Sequence, residues 1–185
     1  MMDLNGVTAL VTGAGSGMGA ATAKALAKRG ARVAVVDLNL ESAQQTADSI
    51  KGLALSADVS SGESVEAALQ QVVDELGAPR VVVSCAGIAA ASRIVGREGP
   101  HELDLYQRVI NVNLVGTFNV LRLTAERMST LDPVSDSGAR GVIVNTASVA
   151  AYDGQIGQAA YSSSKGGVVA LTLPAARELA RFGIR

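Results

Sequence analysis

The chain has 185 residues, 48% apolar and 18% charged, enough for the core of one domain and too apolar for disorder. A net charge of −1 leaves no basic field to hold nucleic-acid phosphates, and three Tyr, two Phe and no Trp leave no stacking platform for single strands. One Cys and one His exclude an internal disulfide and a His/Cys metal cluster.

Strand-like and helix-like segments alternate along the chain. Residues 7–11 (VTALV) form a β-rich run closed by Thr12-Gly13. Residues 17–28 have helical spacing, with Met18, Ala21, Ala25 and Leu26 sharing a face and Gly30 as the stop. Residues 32–37 (RVAVVD) read as a second strand, 40–50 as a polar helix and 53–57 as a third strand. Residues 61–75 form an amphipathic helix with Val65, Ala68, Leu69, Val72 and Val73 inward. Residues 81–85 are a fourth strand, followed by a loop with Gly87, Gly96, Gly99 and Pro100, in which His101 is a solvated residue. One long helix is predicted over 102–128, then a polar loop, a fifth strand over 141–147 and a last helix over 161–182, bent at Pro174.

Runs such as VVVSC do not alternate, so the strands are buried on both faces, as in a parallel sheet covered by helices. The expectation is an α/β fold, a doubly wound parallel sheet of Rossmann type, in one cofactor-binding domain spanning 1–185. Gly183-Ile184-Arg185 reads as the approach to a sixth strand, so the fold is expected to lack its C-terminal strands and lid. The longest apolar stretch, 81–91, is too short for a bilayer, and Met1-Met2-Asp3-Leu4 has no signal character. A cytoplasmic protein with no membrane or nucleic-acid partner is expected.

Thr12-Gly13-Ala14-Gly15-Ser16-Gly17-Met18-Gly19 lies between the first strand and first helix. Glycine here lets the backbone approach a pyrophosphate and the helix pack on the strand, and the helix N-terminus offers free N–H groups to phosphate. Asp37, with Leu38 after it, closes the second strand, where a carboxylate accepts from adenosine ribose hydroxyls and repels a 2′-phosphate; that favours NAD over NADP. The lesser reading of Asp37 is a plain N-cap for the next helix, and Asp58 of Asp58-Val59 reads equally as an acceptor for the adenine amino group or as a cap.

Tyr161 and Lys165 are four residues apart on one helix face. A free phenol titrates near 10, and a neighbouring ammonium favours its phenolate. That is the base a dehydrogenase needs to take the alcohol proton. Ser148 follows the fifth strand and is a donor for the substrate oxygen. Taken alone, Tyr-x-x-x-Lys is as well an exposed helix pair, and Asn113 is a polar residue capping a distortion in a long helix.

TGAGSGMG, Asp37, Asp58-Val59, Cys85-Ala86-Gly87, Asn111-Val112-Asn113-Leu114 and Ser148…Tyr161-Ser-Ser-Ser-Lys165 together resemble the short-chain dehydrogenase/reductase family. The resemblance implies a catalytic tetrad of Asn113, Ser148, Tyr161 and Lys165, with Asn113 holding a relay water. It adds Cys85, Ala86, Gly87, Tyr161 and Lys165 to the cofactor residues. The family usually has Asn where Cys85 stands; Cys85 is expected to be structural. SCAGIA, NVNLVGTFNVLRL and GVIVNTASVAAYDGQIGQAAYSSSKGG are similar to the subgroup of type II 3-hydroxyacyl-CoA dehydrogenases, which includes a 17β-hydroxysteroid dehydrogenase called type ten. This implies oxidation of 3-hydroxyacyl-CoA by NAD, a place in fatty acid metabolism and a homo-oligomer, dimer or tetramer, formed through the 102–128 helix and the last helix. Gln155 and Gln158, between Ser148 and Tyr161, are either thioester ligands beside Ser148 and Tyr161 or solvent-facing amides. The alternatives are a steroid or other secondary-alcohol dehydrogenase and a non-catalytic NAD-binding scaffold.

Overall fold

A computed structural model of the protein describes residues 3–134 and 136–185. Five parallel strands, β1 (Thr8–Thr12), β2 (Arg32–Asp37), β3 (Leu53–Ser56), β4 (Val81–Ser84) and β5 (Val142–Asn145), lie in the order β3-β2-β1-β4-β5. The order reverses between β2–β1 and β1–β4, which opens a crevice at the carboxyl ends of the strands. Helices α1 (Gly17–Lys28), α2 (Leu40–Ile50), α3 (Gly62–Leu76), α4 (Leu103–Ile110), α5 (Gly116–Ser129) and α6 (Ala159–Leu179) cover it.

Both faces of the central strands are buried. Ala9, Val11, Val33, Val35 and Val81 pack with Ala23, Ala43 and Ala47 of α1 and α2. The intervening residues, Leu10, Ala34, Val36 and Val82, pack with Leu69 and Val72 of α3 and Val120 and Met128 of α5. The period-two geometry of a strand makes this division, and helices on both sides make each run continuous in apolarity. β5 departs from the rule, for Val144 is 49% exposed. Beyond β5, Ile184 bridges Gly141 in parallel, and Arg185 exchanges backbone hydrogen bonds with Gly141 and Ile143.

Three local expectations change. The inward face of α1 is Gly19 and Ala23, with Leu26 half-buried, whereas Met18 is 68% exposed and Ala21 and Ala25 face solvent. Small residues all round this helix give its periodicity little contrast. His101 is half-buried, edge-on to Tyr106, and its Nδ1 meets the Glu102 carbonyl. The predicted 102–128 helix is continuous in path but changes winding: Asn111–Val115 forms a π-helical turn between α4 and α5. α6 runs through Pro174 and approaches this turn closely, because a Cβ on Gly167 would lie 2.5 Å from a Leu114 methyl.

Candidate active site

The glycine loop between β1 and α1 is built from main chain. Gly13 has φ +62°, and a Cβ there would stand 2.7 Å from the Ala86 backbone. A Cβ on Gly19 would stand 2.1 Å from the Gly13 carbonyl oxygen, so glycine is what lets α1 start against β1. Ser16 is the N-cap of α1 but makes no side-chain cap, and the first turn holds no acidic residue. α2 and α3 are built otherwise. Asn39 accepts from Ser42 N and Ser61 from Ser64 N, and Glu41 and Glu63 sit in their first turns. The α1 terminus is thus left with N–H groups and a positive dipole end for an anion.

A crevice of about 370 Å³ opens above this loop. Gly13, Ser16, Gly17, Met18 and Gly19 line it from one end, Asp37, Leu38, Asp58 and Val59 from a second, and Cys85, Ala86 and Gly87 from a third. Of the loop's predicted residues, Gly15 is turned elsewhere: its N–H donates to Asp37 Oδ2 at 2.9 Å, and a Cβ on it would strike Ser42. Asp37 Oδ1 accepts from Asn39 N at 3.0 Å. Neither Asp37 nor Asp58 caps a helix, since Asn39 and Ser61 hold those positions. Asp58 Oδ1 instead accepts from Ser60 N and Oγ in a local turn.

Across β4, side chains from separate segments meet. The π turn points Asn113, fully buried, at the loop after β4: its Oδ1 accepts from Ile88 N at 2.8 Å and its Nδ2 donates to Ile88 O at 2.9 Å. The same Nδ2 donates to Ser164 Oγ at 3.0 Å, and Ser164 Oγ donates to the Tyr161 carbonyl at 2.7 Å. Lys165 is 6% exposed; its Nζ donates to Thr146 O at 2.6 Å and lies 5.8 Å from the centre of the Tyr161 ring. Burial pushes the Lys165 ammonium below the usual lysine range, partly opposed by nearby Cys85. Thr146 Oγ1 donates to Cys85 Sγ at 3.7 Å, so the cysteine packs into this cluster. Ser148 caps a short 3₁₀ turn, Val149–Ala151, by accepting from Ala150 N at 3.2 Å.

Residues 7–185 match the family described as short chain dehydrogenase. The chain belongs to the short-chain dehydrogenase family. It is 50% identical over 187 residues to 3-hydroxyacyl-CoA dehydrogenase type-2 of Bos taurus, covering 99% of this chain and 71% of that protein. It is 50% identical over 186 residues to the Drosophila melanogaster protein of the same name, covering 98% and 72%. The crystal structure of 3-hydroxyacyl-CoA dehydrogenase type-2 from Mycobacterium avium superposes with a TM-score of 0.91 at 40% identity, covering 97% of this chain and 70% of that one. As a short-chain dehydrogenase the chain is an oxidoreductase that uses a nicotinamide cofactor, and the glycine cradle, the uncapped α1 terminus and the crevice fit such a dinucleotide.

Gln158 Oε1 accepts from Gln155 N at 2.9 Å, and both line a separate cavity of about 540 Å³ with Ser92–Val95. The reading from sequence omitted Ser164 and Thr146. Ser164 had a signal available: it stands three residues after Tyr161, on the face of Tyr161 and Lys165, whereas Ser162 and Ser163 fall to the sides. Thr146 acts through its carbonyl, for which no residue type is a signal. No helix among the described residues is long and apolar enough to cross a membrane.

Proposed function

We propose that the protein oxidises the 3-hydroxyl of acyl-CoA thioesters to the ketone, reversibly, with NAD. The observation that carries the reading is the buried Lys165 ammonium beside the Tyr161 ring, with no ion-pair partner among the described residues. The Tyr161 hydroxyl is the group that takes the alcohol proton, with the Lys165 ammonium held beside its ring. The nicotinamide, when bound, supplies the hydride acceptor for oxidation and the donor for reduction. Ser148 donates to the substrate oxygen, and in the ketone direction Tyr161 returns the proton. Asn113 fixes the Ile88 backbone, and with it the loop carrying Gly87, beside Lys165. The names of the relatives support the acyl-CoA substrate.

Asp37 supports NAD. Its carboxylate lines the crevice at the end of β2, no Lys or Arg follows within Leu38-Asn39-Leu40, and a 2′-phosphate would meet a negative charge. A homo-oligomer is supported by α5 and α6, whose side chains Phe118, Leu121, Leu171 and Leu179 line a cavity of about 420 Å³ rimmed by Arg122, Glu126 and Glu178. The unpaired Cys85 thiol is in keeping with a reducing compartment such as the cytoplasm.

The test is NADH formation with a 3-hydroxyacyl-CoA, set beside a steroid alcohol and beside NADP. Acyl-CoA turnover with NAD is expected to dominate, and Asp37→Ala to narrow the preference for NAD by about tenfold, the loss of roughly one charged contact. A preference for the steroid overturns the substrate, and equal use of NADP by the unsubstituted enzyme overturns the cofactor.

A further inference from the structure

Ser164 stands where three elements of the site meet, and the function proposed above gives it no role. It is fully buried. Its hydroxyl accepts from Asn113 Nδ2 and donates to the Tyr161 carbonyl, so both directions of the group are used. Asn113 in turn is tied by two hydrogen bonds to the backbone of Ile88, one residue beyond Gly87. Gly87 is the close-approach point: a Cβ there would lie 3.1 Å from Asn113 Oδ1 and 3.8 Å from Lys165 Nζ. The loop after β4, the π turn and the first turn of α6 are therefore joined through one serine oxygen. The bond to the Tyr161 carbonyl lies within the turn that carries both Tyr161 and Lys165.

We propose that Ser164 is a positioning residue: it transmits the location of Asn113 and the Ile88 loop to the Tyr161–Lys165 pair and so fixes where the ammonium stands relative to the phenol. The proposal rests on the reading of Tyr161 and Lys165 as the acid–base pair. Two features make the serine a coupling element rather than a helix-capping residue. It is the sixth residue of α6, past the first turn, where a capping hydroxyl has no task. Its acceptor side receives a donor 51 residues away in sequence, which a local back-bond does not require. Without the hydroxyl, Asn113 Nδ2 keeps Ile88 O but loses its second acceptor in a dry site, and the first turn of α6 loses its tie to the π turn. The titratable groups against Lys165 are Tyr161 on its own helix and Cys85 from the loop after β4; no described carboxylate pairs with it.

The test is S164A in the intact enzyme, with kcat and KM measured across pH for alcohol oxidation and active sites counted by NADH titration. The expected result is a fall in kcat per active site of up to about 10²-fold, the scale of a small misplacement of reacting groups. KM for NAD should stay nearly unchanged, and the rising limb of kcat against pH should move to higher pH. S164T, which keeps the hydroxyl, is expected to restore the limb. A merely structural serine would lower the folded fraction and leave kcat per active site and the limb where they were, and that result overturns the proposal. Should S164A not fold, S164C, close in volume and a poor acceptor, is read in the same way. Y161F run in parallel separates the two claims. If Y161F keeps its turnover, the acid–base reading fails. If Y161F is inactive while S164A behaves as the unsubstituted enzyme, only the role of Ser164 fails.

Discussion

On the β1–α1–β2 side the site is made of main chain, and beyond β4 it is made of side chains. Gly13, Gly17 and Gly19 offer space and N–H groups from one stretch of eight residues, with Asp37 bracing the loop at Gly15. On the other side Asn113, Ser164 and Lys165 come from two helices and are joined by hydrogen bonds to Ile88, Tyr161 and Thr146. In the proposed function the first half recognises a ligand common to many reactions and needs only shape and a dipole. The second holds a proton-transfer pair in register, which backbone alone cannot do. Substitutions in the first half should therefore change affinity or folding, and those in the second should change rate.

The largest expected effect is Tyr161→Phe, which removes the phenol and leaves the ring. General acid–base catalysis supplies roughly 10²–10⁴-fold in rate, and kcat should fall on that scale. NADH affinity, read by fluorescence titration, should barely move. A parallel loss of affinity would show that the two halves are not separable.

Gly19→Ala probes the opposite half. The new Cβ would sit 2.1 Å from the Gly13 carbonyl, so backbone must shift. Overpacking of this kind costs about 1–3 kcal/mol, and the moved turn should also weaken NADH binding. Denaturant midpoints and the same titration read both. A variant with unchanged binding but reduced kcat would reverse the proposed division of labour.

The division also decides what the sequence could show. The glycine loop, the position of Asp37 at the end of β2 and the alternation of strands and helices were legible because each is local, a turn signal between a buried strand and a helix. The π turn was not, because Asn113 bends the helix for partners that folding brings near: Ile88, 25 residues away, and Ser164, 51 away. The hydrogen bond from Gln155 N to Gln158 Oε1 was not legible either, because it depends on a loop conformation that no periodicity reports. The exposed side of α1 was misread for a plainer reason, since an alanine-rich helix has no strong apolar stripe to read.

Lys165→Met tests the catalytic half through stability. Burial lowers the Lys165 pKa, so between that lowered value and the ordinary lysine value the folded protein binds fewer protons than the unfolded chain. Stability contributed by this group therefore rises as pH rises through that window, and the full penalty is present below it. Lys165→Met should remove this slope and, at neutral pH, hold or raise stability by about 1 kcal/mol while turnover is lost. Unfolding curves taken across alkaline pH check the sign. A variant that is both inactive and markedly less stable would mean that the bond to Thr146 outweighs the burial of the charge.

The smallest effect separates helix ends that look alike in sequence. Ser16, Asn39 and Ser61 are all small polar residues at the starts of helices. Only the last two accept a hydrogen bond from their own helix, at Ser42 N and Ser64 N. Removing a working cap costs about 1 kcal/mol, so Asn39→Ala and Ser61→Ala should lower the denaturant midpoint by that amount. Ser16→Ala removes no such bond and should leave the midpoint of the cofactor-free protein within a few tenths of a kcal/mol. Its effect should surface only with cofactor present, as weaker binding at the α1 terminus and a smaller stabilisation by NADH. Equal losses from all three substitutions without cofactor would mean that the α1 terminus is capped like its neighbours, and the contrast between a helix end built for folding and one left open for an anion would fall.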